Sequence, residues 1–91
     1  MTQKNCIPTH IKATVFQDGA ILLDINKNTY YRLNESAAIF WKYLTEECDF
    51  EIALKKMSEL YDVEEMMLRD DMQDLLLSFL RSKIIVNVFN L

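Results

Sequence analysis

Few side chains in this 91-residue chain have types and spacings that could support chemistry. The two thiols, Cys6 and Cys48, lie far apart and form no CxxC pair, and the single imidazole, His10, completes no usual metal-ligand spacing with them. We therefore expect two reduced thiols, no metal site and no cofactor. Nothing in the sequence argues for a disulfide between the two cysteines.

The acidic residues also lack a catalytic arrangement. Asp70, Asp71 and Asp74 fall in a predicted helix as a solvated face, without the oxygen-ligand pattern of a calcium loop. Glu64 and Glu65 complement the positive end of that helix. Because none of these acids is set against a nucleophile or a metal, we expect the protein not to be an enzyme.

Size and composition bound the scaffold that must position any binding residues. A chain of 91 residues, of which 51% are hydrophobic, is one domain with a real core. One glycine and one proline leave no room for flexible linkers, and no run of 18 apolar residues predicts a membrane span. Residues 1–10 lack the apolar segment of a secretory signal, so we expect a cytoplasmic protein without a membrane partner.

Charge is distributed unevenly along the chain. Residues 1–43 carry five basic and three acidic side chains, a net charge of +2. Residues 44–91 carry five basic and eleven acidic side chains, a net charge of −6. The acidic half disfavours nucleic acid as a partner, because phosphates require a basic surface.

Alternation of apolar and polar residues predicts three strands in an antiparallel meander. In the first strand, Ile11, Ala13 and Val15 share a face, which predicts a half-buried strand. Residues 18–19 and 26–28 are predicted to form the two turns, since Gly and Asn accept left-handed backbone. The predicted strands, which follow a flexible arm at residues 1–10, are Ile11–Gln17, Ala20–Ile25 and Thr29–Leu33.

Helical periodicity predicts three helices after the meander, with Asn34 and Asp49 as the N-caps of the first two. The predicted helices are Glu35–Glu46, Phe50–Tyr61 and Glu64–Ser82, and they precede a short C-terminal strand, Ile84–Phe89, that could join the meander. The predicted inward positions are Ala37, Phe40, Trp41 and Leu44, then Ile52, Ala53, Met57 and Leu60, then Leu68, Met72, Leu75, Leu76, Phe79 and Leu80. This order predicts an α+β domain over residues 11–91 with a winged helix-turn-helix-like outline.

The third strand carries the sharpest candidates for binding. If Leu33 faces the core, so does Tyr31, while Tyr30 and Arg32 face the other way. Ordinary strand filling with a solvated arginine explains this pattern. An open sheet edge explains it too, since its unpaired N–H and C=O groups can accept a peptide strand.

The third helix has more leucine than one buried stripe needs. Leu77 falls on a polar side of the helix, near Asp74 and Arg81. A single exposed leucine is common and needs no explanation. A groove between this helix and the third strand is the alternative interpretation.

The run DGAILLDINKNTYYRLNESAAIFWKYL resembles the shared block of the PqqD-like family, also called RiPP recognition elements. The matching features are Leu22-Leu23-Asp24, a turn, Tyr30, Leu33-Asn34, Ala37-Ala38 and Trp41. The segment from Tyr61 to Ile85 resembles the second half of the family, with a Tyr-Asp-Val break, an acid at Asp70 or Asp71 and a leucine-rich end. One departure is the turn at residues 26–28, where many relatives have glycine. The resemblance covers about residues 12–86 and is nearest to stand-alone members from lasso-peptide clusters.

The resemblance implies a non-catalytic module that binds the leader of a ribosomally made precursor peptide. The leader would add as a strand antiparallel to the third strand, in a cleft against the third helix. The module would then present the precursor to a separate enzyme, which is a cysteine protease in lasso systems and a radical-SAM enzyme or a cyclodehydratase elsewhere.

The resemblance also places the contacts. The strand contacts fall on Thr29, Tyr30, Tyr31, Arg32 and Leu33, and the helix contacts on Arg69, Asp70, Gln73, Leu76, Leu77 and Leu80. Arg32 and Arg69 would pair with acidic leader residues, and Asp70 or Asp74 with basic ones.

Two other functions remain as alternatives. A winged-helix DNA-binding regulator shares the outline, but the charge of the third helix opposes it. A homodimeric scaffold would pair copies of the chain through an exposed sheet edge.

Overall fold

Three strands and then three helices make up the computed structural model, which describes residues 5–91. The strands are β1 (Ile11–Phe16), β2 (Gly19–Asp24) and β3 (Thr29–Asn34), and the helices are α1 (Glu35–Glu47), α2 (Phe50–Tyr61) and α3 (Glu65–Arg81). Each strand pairs antiparallel with the next, in the order β1-β2-β3. The predicted α+β class, with a meander followed by three helices, is confirmed.

The first hairpin turns one residue earlier than predicted. Its two-residue loop is Gln17-Asp18, and Gly19 already belongs to β2, where it pairs with Phe16. A Cβ atom on Gly19 would overlap the carbonyl oxygen of Leu33 on the neighbouring strand. The glycine is therefore required by the close approach of β3.

The second turn is organised by a buried carboxylate. The Oδ1 atom of Asp24 accepts hydrogen bonds from the backbone N–H groups of Asn26 and Lys27, both at 3.0 Å. Asn28 adopts the left-handed conformation with φ 54°, as predicted for this turn. Asp24 itself is fully buried on the core face of β2, so the turn is anchored to the core.

Helix α1 begins and packs as the sequence predicts. The side chain of Asn34 accepts from the N–H of Ala37 at 2.9 Å and caps the helix. All four predicted inward positions of this helix are buried: Ala37, Phe40, Trp41 and Leu44. Their spacing of i, i+3, i+4 and i+7 gives one stripe that covers β2 and β3.

Helix α2 is capped by Asp49, as predicted, but its buried face is displaced from the predicted one. The predicted inward positions Ile52 and Leu60 are exposed. The buried face consists of Phe50, Ala53, Leu54 and Met57. The displacement follows from Phe50, whose ring packs edge-on against Phe40 of α1 with centroids 6.2 Å apart.

Strand β1 is mostly uncovered, so the prediction of a half-buried strand is wrong beyond its first residue. Ile11 is buried, whereas Ala13 and Val15 are exposed on the same face. Helix α1 packs mainly on β2 and β3, and it meets the end of β1 only at a depression that Val15 and Phe16 line. Alternation in sequence shows that residues share a face but not whether a helix reaches it.

The C-terminal segment does not join the meander. Within the described residues the sheet has three strands, and the segment makes only one isolated bridge, between Phe89 and Asp49. Ile84 and Ile85 are buried, and the indole Nε1 of Trp41 donates to the carbonyl of Ile84 at 3.0 Å. The segment thus packs against α1 and the start of α2 and pairs with no strand of the meander.

Part of the predicted flexible arm contacts the core. Cys6 and Pro8 are buried, and the carbonyl of Cys6 accepts from the N–H of Val86 at 2.9 Å. Residues 1–4 of the predicted arm lie outside the described residues. The division into an arm at 1–10 and a domain at 11–91 stays a prediction.

Candidate functional site

Strand β3 is an open edge of the sheet. It pairs with β2 on one side, and no other strand within residues 5–91 pairs with its other side. An open edge presents backbone N–H and C=O groups that an added strand can satisfy. Every second residue of β3 directs its backbone groups to β2, and the residues between them direct theirs to the open edge.

The pairing of β1 with β2 shows which residues of each strand form these hydrogen bonds. The N–H of Ile25 donates to the carbonyl of His10 at 2.9 Å. Because Ile11 pairs with Asp24, His10 and Ile25 lie directly opposite each other and form a hydrogen-bonded pair. Hydrogen-bonded pairs alternate along an antiparallel ladder. The odd-numbered residues of β2 therefore bond to β1, and its even-numbered residues bond to β3.

The same alternation passes to β3 through the register Leu22↔Tyr31. Tyr31 bonds inward to β2, as do its alternate neighbours Thr29 and Leu33. Tyr30 and Arg32 therefore direct their backbone groups to the open edge. An antiparallel strand could form up to four backbone hydrogen bonds with these two residues.

A cleft of about 400 Å³ runs between the open edge and helix α3. Three residues of α3 and its C-cap residue line it with the spacing i, i+3, i+4 and i+7: Leu75, Ser78, Phe79 and Ser82. The opposite wall consists of Tyr30, Tyr31, Arg32, Leu33 and Asn34, and Ala37 and Ile84 complete the lining. The cleft has an apolar interior, two serine hydroxyls and one cation at its rim.

Strand residues predicted to bind are largely brought together by this cleft. Tyr30, Tyr31, Arg32 and Leu33 line it, and Tyr31 and Leu33 are half-buried as their predicted facing requires. Tyr30 is 66% exposed. Thr29 lies at the end of the strand outside the lining, where its hydroxyl donates to the carbonyl of Lys27 at 3.1 Å.

Helix residues predicted to bind lie on other faces of α3. Successive residues of a helix are turned by about 100°, so Leu77 is about 200° from Leu75. Leu77 and Leu80, with Gln73, line a separate depression of about 250 Å³. Leu76 is buried in the core and Asp70 is exposed on the side away from the cleft. The surplus leucine seen in the sequence is real, but the prediction that it faces β3 is wrong.

Arg69 points towards α2 and is held there. Its guanidinium donates to both carboxylate oxygens of Glu51, at 2.6 and 2.8 Å. Hydrogen bonding from Arg69 lowers the pKa of the Glu51 carboxyl from its ordinary value. This bidentate pair competes with the predicted role of Arg69 in binding an acidic peptide residue.

The sequence did not predict that these residues at the C-terminal end of α3 line a binding cleft. Leu75 and Phe79 were predicted inward, and both do pack on the core while also lining the cleft. Ser78 and Ser82 gave no signal, because small polar residues on a helix usually indicate a solvated face. In the structure their small size leaves room for an occupant of the cleft.

Catalytic or metal chemistry finds no support in the part of the chain that the structure describes. No group of three or more potential ligands from His, Cys, Asp and Glu comes together within residues 5–91. Cys6 and Cys48 are buried and free, and burial together with the neighbouring Cys48 thiol raises the pKa of Cys6 to about 12. At neutral pH that thiol is protonated and unreactive. No helix among the described residues has both the length and the apolar character that a membrane span requires.

Comparison with known proteins shows the family and the fold. The sequence model of the family described as coenzyme PQQ synthesis protein D (PqqD) matches residues 19–85. The fold is similar to a solved structure described as TbiB1 in complex with the TbiA(beta) leader peptide, with a TM-score of 0.77 and 21% sequence identity, covering 87% of this chain and 92% of that one. No protein with curated function shows a significant sequence match. Since the family match spans most of the chain and includes β2, β3 and the three helices, the chain belongs to the PqqD family, whose members are non-catalytic binding modules and include the RiPP recognition elements.

Proposed function

We propose that the protein binds the leader segment of a ribosomally synthesised precursor peptide, which adds as an antiparallel strand to the open edge of β3. The observation that carries the proposal is the pairing of this edge with the cleft against α3. Tyr30 and Arg32 offer their backbone groups to the leader, and the cleft accepts its side chains. The leader bound to TbiB1 in the solved structure supports the proposal.

The register divides the leader's side chains into two sets. A leader residue opposite Tyr31 shares the face of Tyr31 and enters the cleft, where Leu75 and Phe79 offer apolar contact. Leader residues opposite Tyr30 and Arg32 lie on the outer face of the sheet. Backbone pairing then supplies general affinity, and the residue that fills the cleft supplies specificity.

The bound precursor would be delivered to a separate processing enzyme. A lasso-type cysteine protease that removes the leader is the favoured partner, and a radical-SAM enzyme is the alternative. Holding the leader on the module raises the effective concentration of the rest of the precursor at the enzyme, without any catalytic group in the module itself.

Fluorescence anisotropy with a labelled leader tests the proposal, using the precursor encoded nearest this gene. We expect Leu75→Asp to weaken binding about tenfold or more, because a charge set against an apolar side chain costs about 1–3 kcal/mol. Leu77→Asp is the matched control, since Leu77 lies two residues away on another face of α3 and is 46% exposed. This substitution should leave leader affinity unchanged. Ser78→Trp, at an exposed position that lines the cleft, repeats the test without touching the core.

Equal weakening by Leu75→Asp and Leu77→Asp would contradict the assignment of the cleft, as would unaltered binding by both Leu75→Asp and Ser78→Trp. Circular dichroism of each variant reports whether the fold is retained.

An edge-paired homodimer is the second candidate, favoured by the uncovered backbone of β1. Light scattering with and without leader separates the two: a dimer paired through β3 should dissociate as the leader binds, and one paired through β1 should not. DNA binding has less support, since the exposed side of α3 carries Asp70, Asp71 and Asp74.

A further inference from the structure

Helix α3 carries a second row of residues on the side turned away from the cleft. Its members follow one another at alternating steps of four and three residues: Met66, Asp70, Gln73, Leu77 and Leu80. This row forms the outer stripe of α3. The same spacing places residues along the seam between two paired helices. Met66 is 76% exposed and Leu77 is 46% exposed, so a second helix can reach the outer stripe.

The apolar surface of the outer stripe is concentrated in its C-terminal half. Leu77 and Leu80 line the depression of about 250 Å³, and Leu91, which is 65% exposed, lines it as well. Gln73 and Asp74 add polar groups to the same depression. Apolar side chains within a polar surround are the usual make-up of a protein contact surface.

Two opposite charges stand near the ends of the outer stripe. Asp70 and Arg81 are both exposed, and neither forms a salt bridge within residues 5–91. A helix rises about 1.5 Å per residue, so these two side chains are about 16 Å apart along the axis and do not pair with each other. Arg69, the cation next to Asp70 in the chain, is held by both carboxylate oxygens of Glu51. Each of the two charges therefore has room for a partner on another molecule.

A second copy of α3, running antiparallel, supplies a partner for both charges. A two-fold axis level with Leu75 sets Gln73 of each copy opposite Leu77 of the other. The same axis brings Asp70 of each copy to within about 1.5 Å, measured along the helices, of the level of Arg81 of the other. Successive residues are turned by about 100°, so Asp70 and Arg81 lie on the same flank of Leu77, about 20° and 40° from it. The two-fold axis keeps equal flanks together, so opposite charges meet at both ends of the pair.

The size of the contact sets its strength. Helix α3 is about 25 Å long and, with its side chains, about 10 Å wide, so the pair covers roughly 250 Å² of each copy. A stable protein interface buries about 800 Å² on each partner. The shared flank also brings Asp74 of each copy close to the axis, where the two carboxylates repel. The dimer is therefore weak, with a dissociation constant of about 10 µM to 1 mM.

From these observations we infer that the outer stripe of α3 is a self-association surface, on which a second copy of this chain docks as an antiparallel helix with Asp70 and Arg81 paired across the two-fold axis. This inference goes beyond the proposed function and does not depend on it. Leu77 lies about 200° around α3 from Leu75, so the cleft of each copy stays open in the dimer. The dimer would thus hold two leaders at once.

Exchange of charges across the axis tests the inference. Asp70→Arg and Arg81→Asp each set like charges against each other, whereas the double variant Asp70→Arg/Arg81→Asp restores both pairs. Asp71→Arg is the matched control, because it makes the same change of charge about 100° further around the helix. Sedimentation velocity measures the dissociation constant at protein concentrations that span the expected range. Circular dichroism of each variant reports whether the fold is retained.

We expect each single charge reversal to weaken the dimer at least tenfold, and the double variant to return to within threefold of wild type. Asp71→Arg should not weaken the dimer. The result for Asp70→Arg is the most informative, since this variant lowers the net negative charge of the chain. General repulsion between copies predicts that it associates more tightly, whereas the pairing of Asp70 with Arg81 predicts the opposite.

Two further variants examine the middle of the outer stripe. Leu77→Asp should weaken the dimer at least tenfold, because it sets a charge in the apolar part of the seam. Asp74→Asn should tighten it, because it removes the repulsion near the axis. Saturating leader should leave the dissociation constant of the wild-type dimer within twofold, since the cleft lies on another side of α3.

Several results would overturn the inference. A wild-type protein that sediments as a monomer over the whole range has no such surface. An unaltered dimer in both Asp70→Arg and Leu77→Asp pairs through another part of the molecule, and one that dissociates on adding leader pairs through β3. A double variant as weak as the single variants contradicts the antiparallel pairing. Absence of leader binding by the wild-type protein overturns the proposed function alone, because the dimer is measured without leader.

Discussion

The two edges of the sheet, β1 and β3, are both unpaired but differ in what lies beside them. At β3, helix α3 forms the far wall of a cleft, so a strand added there gains backbone pairing and a place for its side chains. At β1, Ala13 and Val15 are exposed, and α1 contributes only the side of a shallow depression next to Val15. An open edge supplies affinity for any extended chain, whereas the neighbouring helix supplies selectivity. The difference supports the proposal that the leader binds at β3 and not at β1.

The largest effect should come from removing an outward backbone N–H at each edge in turn. Arg32→Pro removes the N–H that faces an incoming strand and sets a ring in its path, so we expect leader affinity to fall at least tenfold. The fold should survive, because that N–H takes no part in the ladder with β2. Ala13→Pro removes the equivalent outward group of β1 and should leave affinity unchanged, and Arg32→Ala isolates the contribution of the guanidinium. Anisotropy and circular dichroism measure the two properties. An equal loss of affinity in both proline variants would break the distinction between the edges.

Part of this contrast was predictable from the sequence. The facing of Tyr30, Tyr31 and Leu33 follows from a period of two, and the buried stripe of α1 follows from a period of 3.6. Both depend only on local geometry, and both are confirmed.

The errors arose where tertiary placement decides. Periodicity separates the faces of α3, but it does not reveal which face meets β3, and so Leu77 was assigned to the cleft in place of Leu75 and Ser78. The uncovered face of β1 is an error of the same kind, because the reach of α1 is not encoded in the alternation of β1.

An intermediate effect, on stability, should distinguish the two turns of the meander. Asp24→Ala removes two hydrogen bonds that shape the turn before β3, so we expect the free energy of unfolding to fall by about 1–3 kcal/mol. Asp24→Asn keeps the accepting oxygen and should lose much less. Asp18→Ala, in the exposed loop between β1 and β2, should stay within about 0.5 kcal/mol of wild type. Urea unfolding monitored by tryptophan fluorescence measures all three. A stability for Asp24→Ala equal to that of Asp18→Ala would show that the buried carboxylate does not organise the turn.

The smallest effect should come from Arg69, which lies on the α2 side of α3. Arg69→Ala removes the pair with Glu51, so we expect a slight fall in melting temperature that diminishes at high salt. Leader affinity should be unchanged, because the guanidinium is directed away from the cleft. Calorimetry at low and high salt, together with anisotropy, tests this. A clear loss of affinity would place Arg69 in the site and would require its pair with Glu51 to open.

Hydrogen exchange of single backbone amides on adding the leader tests strand addition at β3 most directly. We expect the amides of Tyr30 and Arg32 to exchange rapidly in the free protein and to become protected when the leader binds. The amide of Tyr31 should be protected in both states, and the outward amides of Ala13 and Val15 on β1 should remain unprotected throughout. Leader binding that leaves Tyr30 and Arg32 unprotected, or that protects Ala13 and Val15 instead, would contradict strand addition at β3.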